Sequence, residues 1–575
     1  MSLPFALAVF LCSLDVHQPA TLLSASVVAM QEGRSGNTQT ARPLTACGPL
    51  RRPGTRYLLQ NDVEAPGTCF SIEADHVTLD LGGHTVTYGT TDGAKATFGV
   101  IAADCWYQTV AGNPCGGSHR YAEILNGKIV QGTAAAAMSH ALRMGQANNL
   151  TGVKVHDLEI TVHAPDSIAI YTEYLPGGSD VYRNTIHNNV IAISSRTQFR
   201  GASIKLEGES GAKLPDQIHH NVIRGGAQLG IRDDNPAGTQ IFDNDISQDA
   251  TFTNGFCIDA AGANMKVYGN QCHPVHGRGI HTNQSNVQIY DNLVETIDSD
   301  QNQEYKGCEI NGTYGIQVES DNFAPTHILV SRNHVKVHAA ACPAEAMRLT
   351  DLKDASVEIS NNEFVAVTDA AAGRQAGASG AIPGARGFSV GNVQGGGVVF
   401  TQNRVQADTA MFHMDWDGGG SFLLKDNHFV AGPGSNGKAL LAEFGNGTGA
   451  SERNYFLDNT YEGFSPDASK FSEYAGDSWF AVTRSFTIRL VDQNGNPVKD
   501  AEVKTVIETG ETVAALTDSE GSAQMVLPSY RVANKKPTRS YTRHQLRVKP
   551  PRCEPEVVDV DMSGPQKMTR ILKCR

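Results

Sequence analysis

Several features that mark other classes of protein are scarce or missing in this chain of 575 residues. Charged residues make up only 19% of it, and no apolar run is as long as a membrane-spanning helix, so no membrane span is expected. No two cysteines have the Cys-x-x-Cys spacing of many metal sites. Acidic residues outnumber basic ones by 60 to 47, and the net charge of −13 argues against general nucleic-acid binding. The 58 glycines fit a turn-rich, all-β structure.

A strand-like segment recurs five times in the middle of the chain. Each copy starts with small and apolar residues and then alternates polar with apolar ones, which is the period of a strand with one buried face. No helical pattern lies between the copies. The five copies are residues 202–208, 229–235, 254–260, 278–284 and 314–320.

A second strand follows most of these copies and ends near an asparagine. Asn221, Asn244, Asn270 and Asn292 lie 23, 26 and 22 residues apart. A fixed period of this size predicts a parallel β-helix, in which each cycle forms one coil and the coils stack. Stacked side-chain amides can satisfy one another at a tight bend, and asparagine tolerates the left-handed backbone that such bends need. Further asparagines extend the series to about a dozen coils: Asn184, Asn333, Asn362, Asn403, Asn427 and Asn459.

The chain divides into three predicted regions. Residues 1–42 are a lead-in, in which residues 2–14 are as apolar as a secretion signal but lack its basic start; an apolar cap on the helix is the alternative. Residues 43–480 form the helix. In residues 484–575, two strands flank an Asn-Gly turn, which predicts a small β-sandwich without catalytic residues. We expect the basic residues between 531 and 547 to lie in a solvated loop.

Cysteine usage supports export. Without Cys12, ten cysteines remain, an even number that suits disulfides formed in an oxidising compartment. We therefore expect a secreted, extracellular protein or a periplasmic one. Cys272 has two candidate partners, Cys257 and Cys308. The other expected pairs are Cys47 with Cys69, Cys105 with Cys115, Cys308 with Cys342, and Cys553 with Cys574.

Stacking converts the repeat into two columns of outward side chains. Successive coils lie about 4.8 Å apart, so equivalent residues become neighbours. The predicted first column is Arg143, Tyr171, Lys205, Arg232, Cys257, His281, Gln317, Arg348, Ser389 and His413. The predicted second column is Glu173, Glu207, Asp234, Asp259, Asn283, Glu319, Thr350 and Asp415. A ribbon of cations is thus expected beside a ribbon of carboxylates.

The segment Val77-Thr-Leu-Asp-Leu-Gly-Gly-His84 resembles the N-terminal coils of secreted proteins of the pectate-lyase-like superfamily, which are right-handed parallel β-helices. The resemblance covers roughly residues 45–465. It implies the fold and leaves the activity open, since that superfamily includes lyases, hydrolases, epimerases, tailspikes and adhesins. Residues 486–503 are similar to the small Ig-like domains of the carboxypeptidase-regulatory and collagen-adhesin B type, which usually act as spacers or stabilisers.

Lys205 and Arg232 lie on adjacent predicted coils, a placement that resembles the Lys and Arg pair of alginate and chondroitin lyases of this fold. In β-elimination, cations neutralise the carboxylate of a uronate so that a base can remove the neighbouring proton. We therefore interpret the chain as a polysaccharide lyase whose substrate is an acidic polysaccharide. Lys205 or His281 is the candidate base, and Arg232 and Arg348 are the candidate neutralising cations.

The other polar residues of this face support the same hypothesis. Asp234, Asp259 and Glu319 would orient the cations or hold a metal. Calcium suits an oxygen-rich cluster, and Glu207, Asp234 and Asp259 are its candidate ligands. The lyases named above carry acidic calcium ligands before their lysine, where this chain has Gln198 and Arg200. A shifted match, Glu207 and Glu209 before Lys213, has a spacing that is one residue short. The candidate substrate contacts are Arg348, Glu319, Gln317, Asn283, Asp233 and Arg278.

Two other functions use the same face. Asp234 and Asp259, or Asp233 with them, could be the acid and base of a glycoside hydrolase. Residues 230–234 and 277–279 are similar to the Asp-Asp and Gly-His-Gly elements of polygalacturonases, but an arginine replaces the histidine. A non-catalytic, glycan-binding adhesin is the third interpretation. In the plainest case the outward charges only pair across strands, which contributes fractions of a kcal/mol.

Overall fold

The computed structural model describes most of the chain from residue 41 onwards. The described ranges are 41–91, 95–103, 121–145, 152–190, 201–225, 229–248, 255–297, 313–320, 325–339, 343–368, 384–395, 397–415, 419–420, 422–445, 454–473, 475–507 and 512–574. The signal-like residues 2–14 and the expected disulfides of Cys105 and of Cys342 lie outside these ranges. Within them the structure is β-strand with one short 3-10 helix, Pro433–Ser435.

Three ladders of parallel strands form the walls of a parallel β-helix, which confirms the predicted fold class. Each strand pairs with its equivalent in the next coil, as Ile204–Gly208 does with Leu229–Asp233. The first ladder, called the site ladder below, contains Gly48–Leu50, Phe70–Ile72, Val100–Ala103, Leu142–Gly145, Ile170–Leu175, Ile204–Gly208, Leu229–Asp233, Gly255–Ala260, the end of Gln271–Thr282, Thr313–Glu319, Ala344–Thr350, Ala385–Gly391, Ala410–Asp415, Leu440–Phe444 and Ser469–Phe471.

The other two ladders meet at the asparagine bend. The second contains Arg42–Leu44, Arg56–Leu59, Val77–Asp80, Ala122–Gln131, Val153–Val162, Asp180–Tyr182, Gln217–His219, Gln240–Phe242, Lys266–Tyr268, Gln288–Tyr290, Ile328–Ser331, Val357–Ser360, Val398–Thr401, Leu423–Lys425, Asn454–Leu457 and Trp479–Val491. The third contains Val63–Glu64, Thr85–Tyr88, Thr185–Asn188, Val222–Gly225, Asp245–Ser247, the start of Gln271–Thr282, Leu293–Ile297, His334–Ala339, Glu363–Thr368, Arg404–Ala407, His428–Ala431 and Thr460–Glu462, and it shares two long strands with the second. A separate pair joins Gln394–Gly395 to Gly419–Gly420.

Stacked aliphatic side chains fill the interior of the helix. In the site ladder the inward column runs Ile204, Ile231, Ile258, Ile280 and Ile316, and each is fully buried. Burying one such side chain contributes about 1.5–3 kcal/mol, so one inward column is worth several kcal/mol before entropy is counted. This column sets which residues on the same strands must face outward.

The predicted asparagine ladder is present from Asn184 to Asn459. Nδ2 of Asn244 donates to Oδ1 of Asn270 at 2.9 Å, and the same oxygen accepts the backbone N–H of Asn244 at 3.1 Å. The left-handed residue is not the asparagine itself, as we had expected, but the residue before it: φ is 53° at Asp243 and 56° at Asp291. The asparagine therefore supplies the side-chain amide that holds the bend, and its neighbour supplies the turn.

One strand, Trp479–Val491, continues from the helix into the C-terminal region. Its residues 480–483 pair in parallel with Asn454–Leu457, and along almost its full length it pairs antiparallel with Ser522–Ala533. The predicted boundary at residues 480–484 falls inside this strand. The expectation of a solvated loop was wrong for four of the basic residues, which lie on strands: Arg531, Arg539, Arg543 and Arg547.

The C-terminal region is a small β-sandwich. One sheet contains Trp479–Val491, Ser522–Ala533, Arg539–Ser540 and Gln566–Ile571. The other contains Thr512–Leu516, Glu502–Val506, Arg543–Lys549 and Glu556–Asp561 in that order. Phe486, Leu527, Leu546 and Val548 are among the residues that form a core between the two sheets.

Three disulfides are described, and each matches a predicted pairing. Cys47 is joined to Cys69 and Cys553 to Cys574. The open choice for Cys272 is settled in favour of Cys257, across the interior of one coil. Among the described residues, no helix has the length and hydrophobicity needed to cross a membrane.

We expect Asn270→Ala to lower the free energy of unfolding by about 3 kcal/mol, because it leaves the buried backbone N–H of Asn244 without its acceptor and removes one hydrogen bond of the Asn244 side chain. Urea unfolding followed by circular dichroism measures the change. Gln271→Ala is the control, since Gln271 is adjacent and exposed and should shift stability by no more than about 0.5 kcal/mol. Equal effects of the two substitutions would contradict a structural role for the ladder.

Candidate functional site

Strand pairing in the site ladder defines the true first outward column. It runs Arg143, Tyr171, Lys205, Arg232, Asp259, His281, Gln317, Arg348, Ser389, His413, Glu443 and Lys470. The predicted column contained Cys257 where the structure has Asp259, and that prediction was wrong. The inward residue that keeps the register is Ile258, so Asp259 faces outward, while Cys257 is fully buried and takes the place that glycine has in the neighbouring coils.

Asp259 links its neighbours above and below into one group. One carboxylate oxygen accepts from Arg232, and Oδ1 lies 2.8 Å from Nδ1 of His281. The side chain of Asp259 is only 1% exposed, whereas those of Arg232 and His281 are 16% and 11% exposed. The structure therefore brings together three of the residues that the sequence analysis named as candidate site residues.

The electrostatics of the cluster keep Asp259 ionised. Burial by itself raises the pKa of Asp259, but the hydrogen bond from His281, together with the charge and hydrogen bond of Arg232, outweighs it and holds the pKa below the usual value. Nε2 of His281 has no hydrogen-bond partner among the described residues; its nearest carboxylate oxygen is Oε2 of Glu319 at 3.8 Å. Glu319 in turn accepts a hydrogen bond of 2.5 Å from Gln317.

A second row of outward side chains lies three residues before the first column, and Arg278 stands out in it. Its guanidinium carbon is 4.9 Å from the centre of the Phe256 ring and 5.4 Å from that of Tyr314. The Phe256 ring also lies 5.2 Å from the His281 ring. No carboxylate of the described residues forms an ion pair with Arg278, whereas Arg348, on the other side of Tyr314, pairs with Glu345 at 2.6 Å.

Lys205 belongs to a separate group nearer the N-terminal end. Its ammonium group forms an ion pair with Glu207 and lies 5.2 Å from the Tyr171 ring centre. The Tyr171 hydroxyl donates to Glu207 at 3.0 Å. Arg143, on the opposite side of Tyr171, pairs with Glu173. Burial raises the pKa of Glu173 in spite of that arginine.

The remaining predicted residues are dispersed. Asp233 points into the helix and is fully buried. The backbone N–H of Asn235 donates to Asp233, and the side-chain amide of Asn235 donates to Asp216. Asp233 therefore cannot contact a substrate, and the prediction that it does was wrong. Asp234 accepts the backbone N–H of Gly208 at 2.8 Å, and burial raises the pKa of Asp234. Asn283 faces outward and accepts a hydrogen bond from its neighbour Gln284.

The predicted calcium ligands do not converge. Glu207 is engaged by Lys205 and Tyr171, and both oxygens of Asp259 are engaged by Arg232 and His281. In the part of the chain that the structure describes, no three His, Cys, Asp or Glu side chains are grouped to hold a metal ion. The calcium hypothesis for Glu207, Asp234 and Asp259 is therefore not supported by their geometry.

Several residues near the site were missed because only two columns were considered. Phe256, Glu345 and Arg386 occupy the row three positions before the first column. Arg386 pairs with Glu345 at 3.6 Å and with Glu443 at 3.0 Å, which extends the charged face toward the C-terminal coils. The sequence signal for this row is the small residue that follows each member, such as Gly279 or Gly315.

The chain matches no protein-family model and no curated protein. Among solved structures it is similar to the tailspike protein of E. coli bacteriophage HK620 in complex with a pentasaccharide, with 11% sequence identity over 88% of this chain and 87% of that chain and a TM-score of 0.42. It is also similar to the A-module of the mannuronan C-5 epimerase AlgE6 of Azotobacter vinelandii, with 12% identity over 75% of this chain and 91% of that chain and a TM-score of 0.30. The fold assignment above rests on the strand pairing of the chain itself.

We expect Asp259→Asn to lower the free energy of unfolding by about 3 kcal/mol at neutral pH, because Arg232 loses its buried counter-ion. The folded pKa of Asp259 is depressed, so its contribution is present above the unfolded pKa of about 3.9 and is lost as the pH falls through the folded pKa. The difference between the two proteins in urea unfolding should therefore shrink below about pH 4.

The control for this measurement is Asp559→Asn, which changes an exposed carboxylate of the sandwich in the same way. Its effect should stay within about 0.5 kcal/mol at every pH. A stability loss in Asp259→Asn that does not vary with pH would show that the ionised carboxylate is not what stabilises the cluster.

Proposed function

We propose that the protein cleaves an acidic polysaccharide by β-elimination, with His281 as the base. The observation that carries the proposal is the buried pair of Asp259 and His281. A hydrogen bond from Nδ1–H to the ionised carboxylate leaves the lone pair on Nε2, which is the form of histidine that accepts a proton. Asp259 would also stabilise the imidazolium that forms.

Arg278 supplies the neutralising charge in this proposal. A uronate loses the proton next to its carboxylate only if the negative charge of that group is offset. Arg278 has aromatic rings on two sides and no carboxylate partner among the described residues, so its guanidinium can receive the substrate carboxylate as a bidentate ligand. Its neighbour Phe256 contacts both the Arg278 guanidinium and the His281 ring, which supports the proposal that cation and base act on one substrate ring.

His281 can carry out both proton transfers of the elimination. Nε2 of His281 takes the proton from the carbon beside the carboxylate, the electrons of that C–H bond form the new carbon–carbon double bond, and the bond to the glycosidic oxygen breaks. The imidazolium then returns the proton to the departing oxygen. Nε2 of His281 is itself buried, so the substrate must move Glu319 aside for this contact to form; Glu319 is 27% exposed and lies 3.8 Å from Nε2.

The alternatives use residues that are less suitable. Lys205 as the base would first have to leave its ion pair with Glu207. Hydrolysis by Asp234 and Asp259 requires one carboxyl group to reach the glycosidic oxygen, but Asp259 is 1% exposed and both its oxygens are occupied. The disulfides support an exported protein, which suits an extracellular polymer as substrate.

We expect His281→Ala to lower the rate of cleavage of a polyuronate by a factor of about 10²–10⁴, the usual contribution of a positioned base. The wild-type protein and the variant are incubated with polygalacturonate and with alginate, and the ultraviolet absorbance of unsaturated uronate ends is followed together with reducing sugar. His334→Ala is the matched control, because His334 pairs with Glu363 on another ladder and is exposed.

The two signals separate the candidate functions. A lyase produces both, and a hydrolase produces reducing sugar without the absorbance. Binding of the polymers without either signal would assign the protein to the glycan-binding adhesins. Full activity of His281→Ala would remove the proposed base.

A further inference from the structure

The outer face of the four-stranded sheet in the sandwich combines exposed cations with exposed apolar side chains. Lys504, Arg547 and Lys549 face outward on its two central strands, Glu502–Val506 and Arg543–Lys549. Around them, on the same face, lie Val506, Leu516 and Val557, which are 67%, 65% and 59% exposed. These are among the most exposed large apolar side chains of the described residues.

Two of the cations on this face stand opposite each other. Lys504 stands directly across from Arg547 in the register of the two strands, and like charges in that position destabilise strand pairing. Glu502 is 3.5 Å from Lys504 and stands across from Lys549, and Asp559 and Asp561 lie on the same face of the next strand. No carboxylate of the described residues, however, forms an ion pair with Arg547 or Lys549. An anion lying between these side chains would relieve the repulsion.

Charge is divided unevenly along the chain. Residues 484–575 contain 16 Lys and Arg and 11 Asp and Glu, a net charge of +5. The whole chain carries −13, so residues 1–483 carry −18. A helix of that charge repels an acidic polymer at long range, whereas the sandwich attracts it.

We infer that this sheet face is a second binding surface for an acidic polysaccharide, separate from the cluster of Asp259 and His281. Carboxylate or sulfate groups of the polymer contact Lys504, Arg547 and Lys549, and the apolar faces of its sugar rings pack on the neighbouring aliphatic side chains. The choice of this occupant rests on the proposed function, since the same polymer would be the substrate. The surface then holds the polymer near a helix that would otherwise repel it.

Affinity electrophoresis of the full chain in gels containing polygalacturonate, alginate or neutral dextran tests the inference. All proteins carry His281→Ala so that the polymer is not consumed. We expect the triple variant K504Q/R547Q/K549Q to bind the two acidic polymers about tenfold more weakly than the parent, as the loss of three exposed ion pairs implies. Dextran should retard neither protein.

The control variant is K535Q/K536Q/K567Q, which removes the same charge from exposed lysines that lie outside this face. It should bind like the parent. Equal weakening in both triple variants would mean that only net charge matters and would overturn the inference. So would retention on a polyglutamate resin without binding to either polyuronate, since that result would assign the face to an acidic protein.

The inference about the sandwich and the proposed function can fail independently of each other. If no acidic polymer is cleaved by the protein with His281 intact, but K504Q/R547Q/K549Q still loses binding, the surface stands and the proposed function falls. If the polymer is cleaved but the triple variant binds it like the parent, the inference about the sandwich falls and the proposed function stands.

Discussion

Hydrogen bonding between stacked asparagines is the constraint on which the alignment of the coils depends. From Asn184 to Asn459, each side chain ties its own bend to the bend of the next coil, through both the side-chain amide and the backbone N–H. A strand that slipped by one residue would turn its whole hydrophobic set outward. Because the bends are held in register, Arg232, Asp259 and His281 meet although they are far apart in sequence.

The central cluster illustrates how such stacking changes the chemistry of ordinary side chains. A carboxylate that is almost completely buried would normally take up a proton more readily, but here a cation on one coil and a histidine on the next keep it charged. The arrangement costs desolvation energy and is stable only while both partners are present. It therefore depends on the same register that the asparagines maintain.

The fold could be predicted from the sequence because the alternation within each strand and the spacing between coils are both visible in it. The sequence also placed Arg232, Asp259 and His281 on the same outer face. It misplaced Asp259 because Cys257 occupies a position that is glycine in the adjacent coils, and a motif anchored on glycine is then shifted. The role of Asp233 was not predictable either, since a buried carboxyl group depends on partners such as Asp216 that come from another coil. Which cation pairs with which carboxylate is decided by side-chain reach and not by spacing.

The strand Trp479–Val491 has a consequence for the behaviour of the protein in solution. The last strand of a parallel stack exposes a row of unpaired N–H and C=O groups, on which a strand of another molecule can add. Here that row is occupied by the antiparallel strand Ser522–Ala533 of the same chain. The C-terminal sandwich thus covers this edge and prevents end-to-end polymerisation through this wall of the helix.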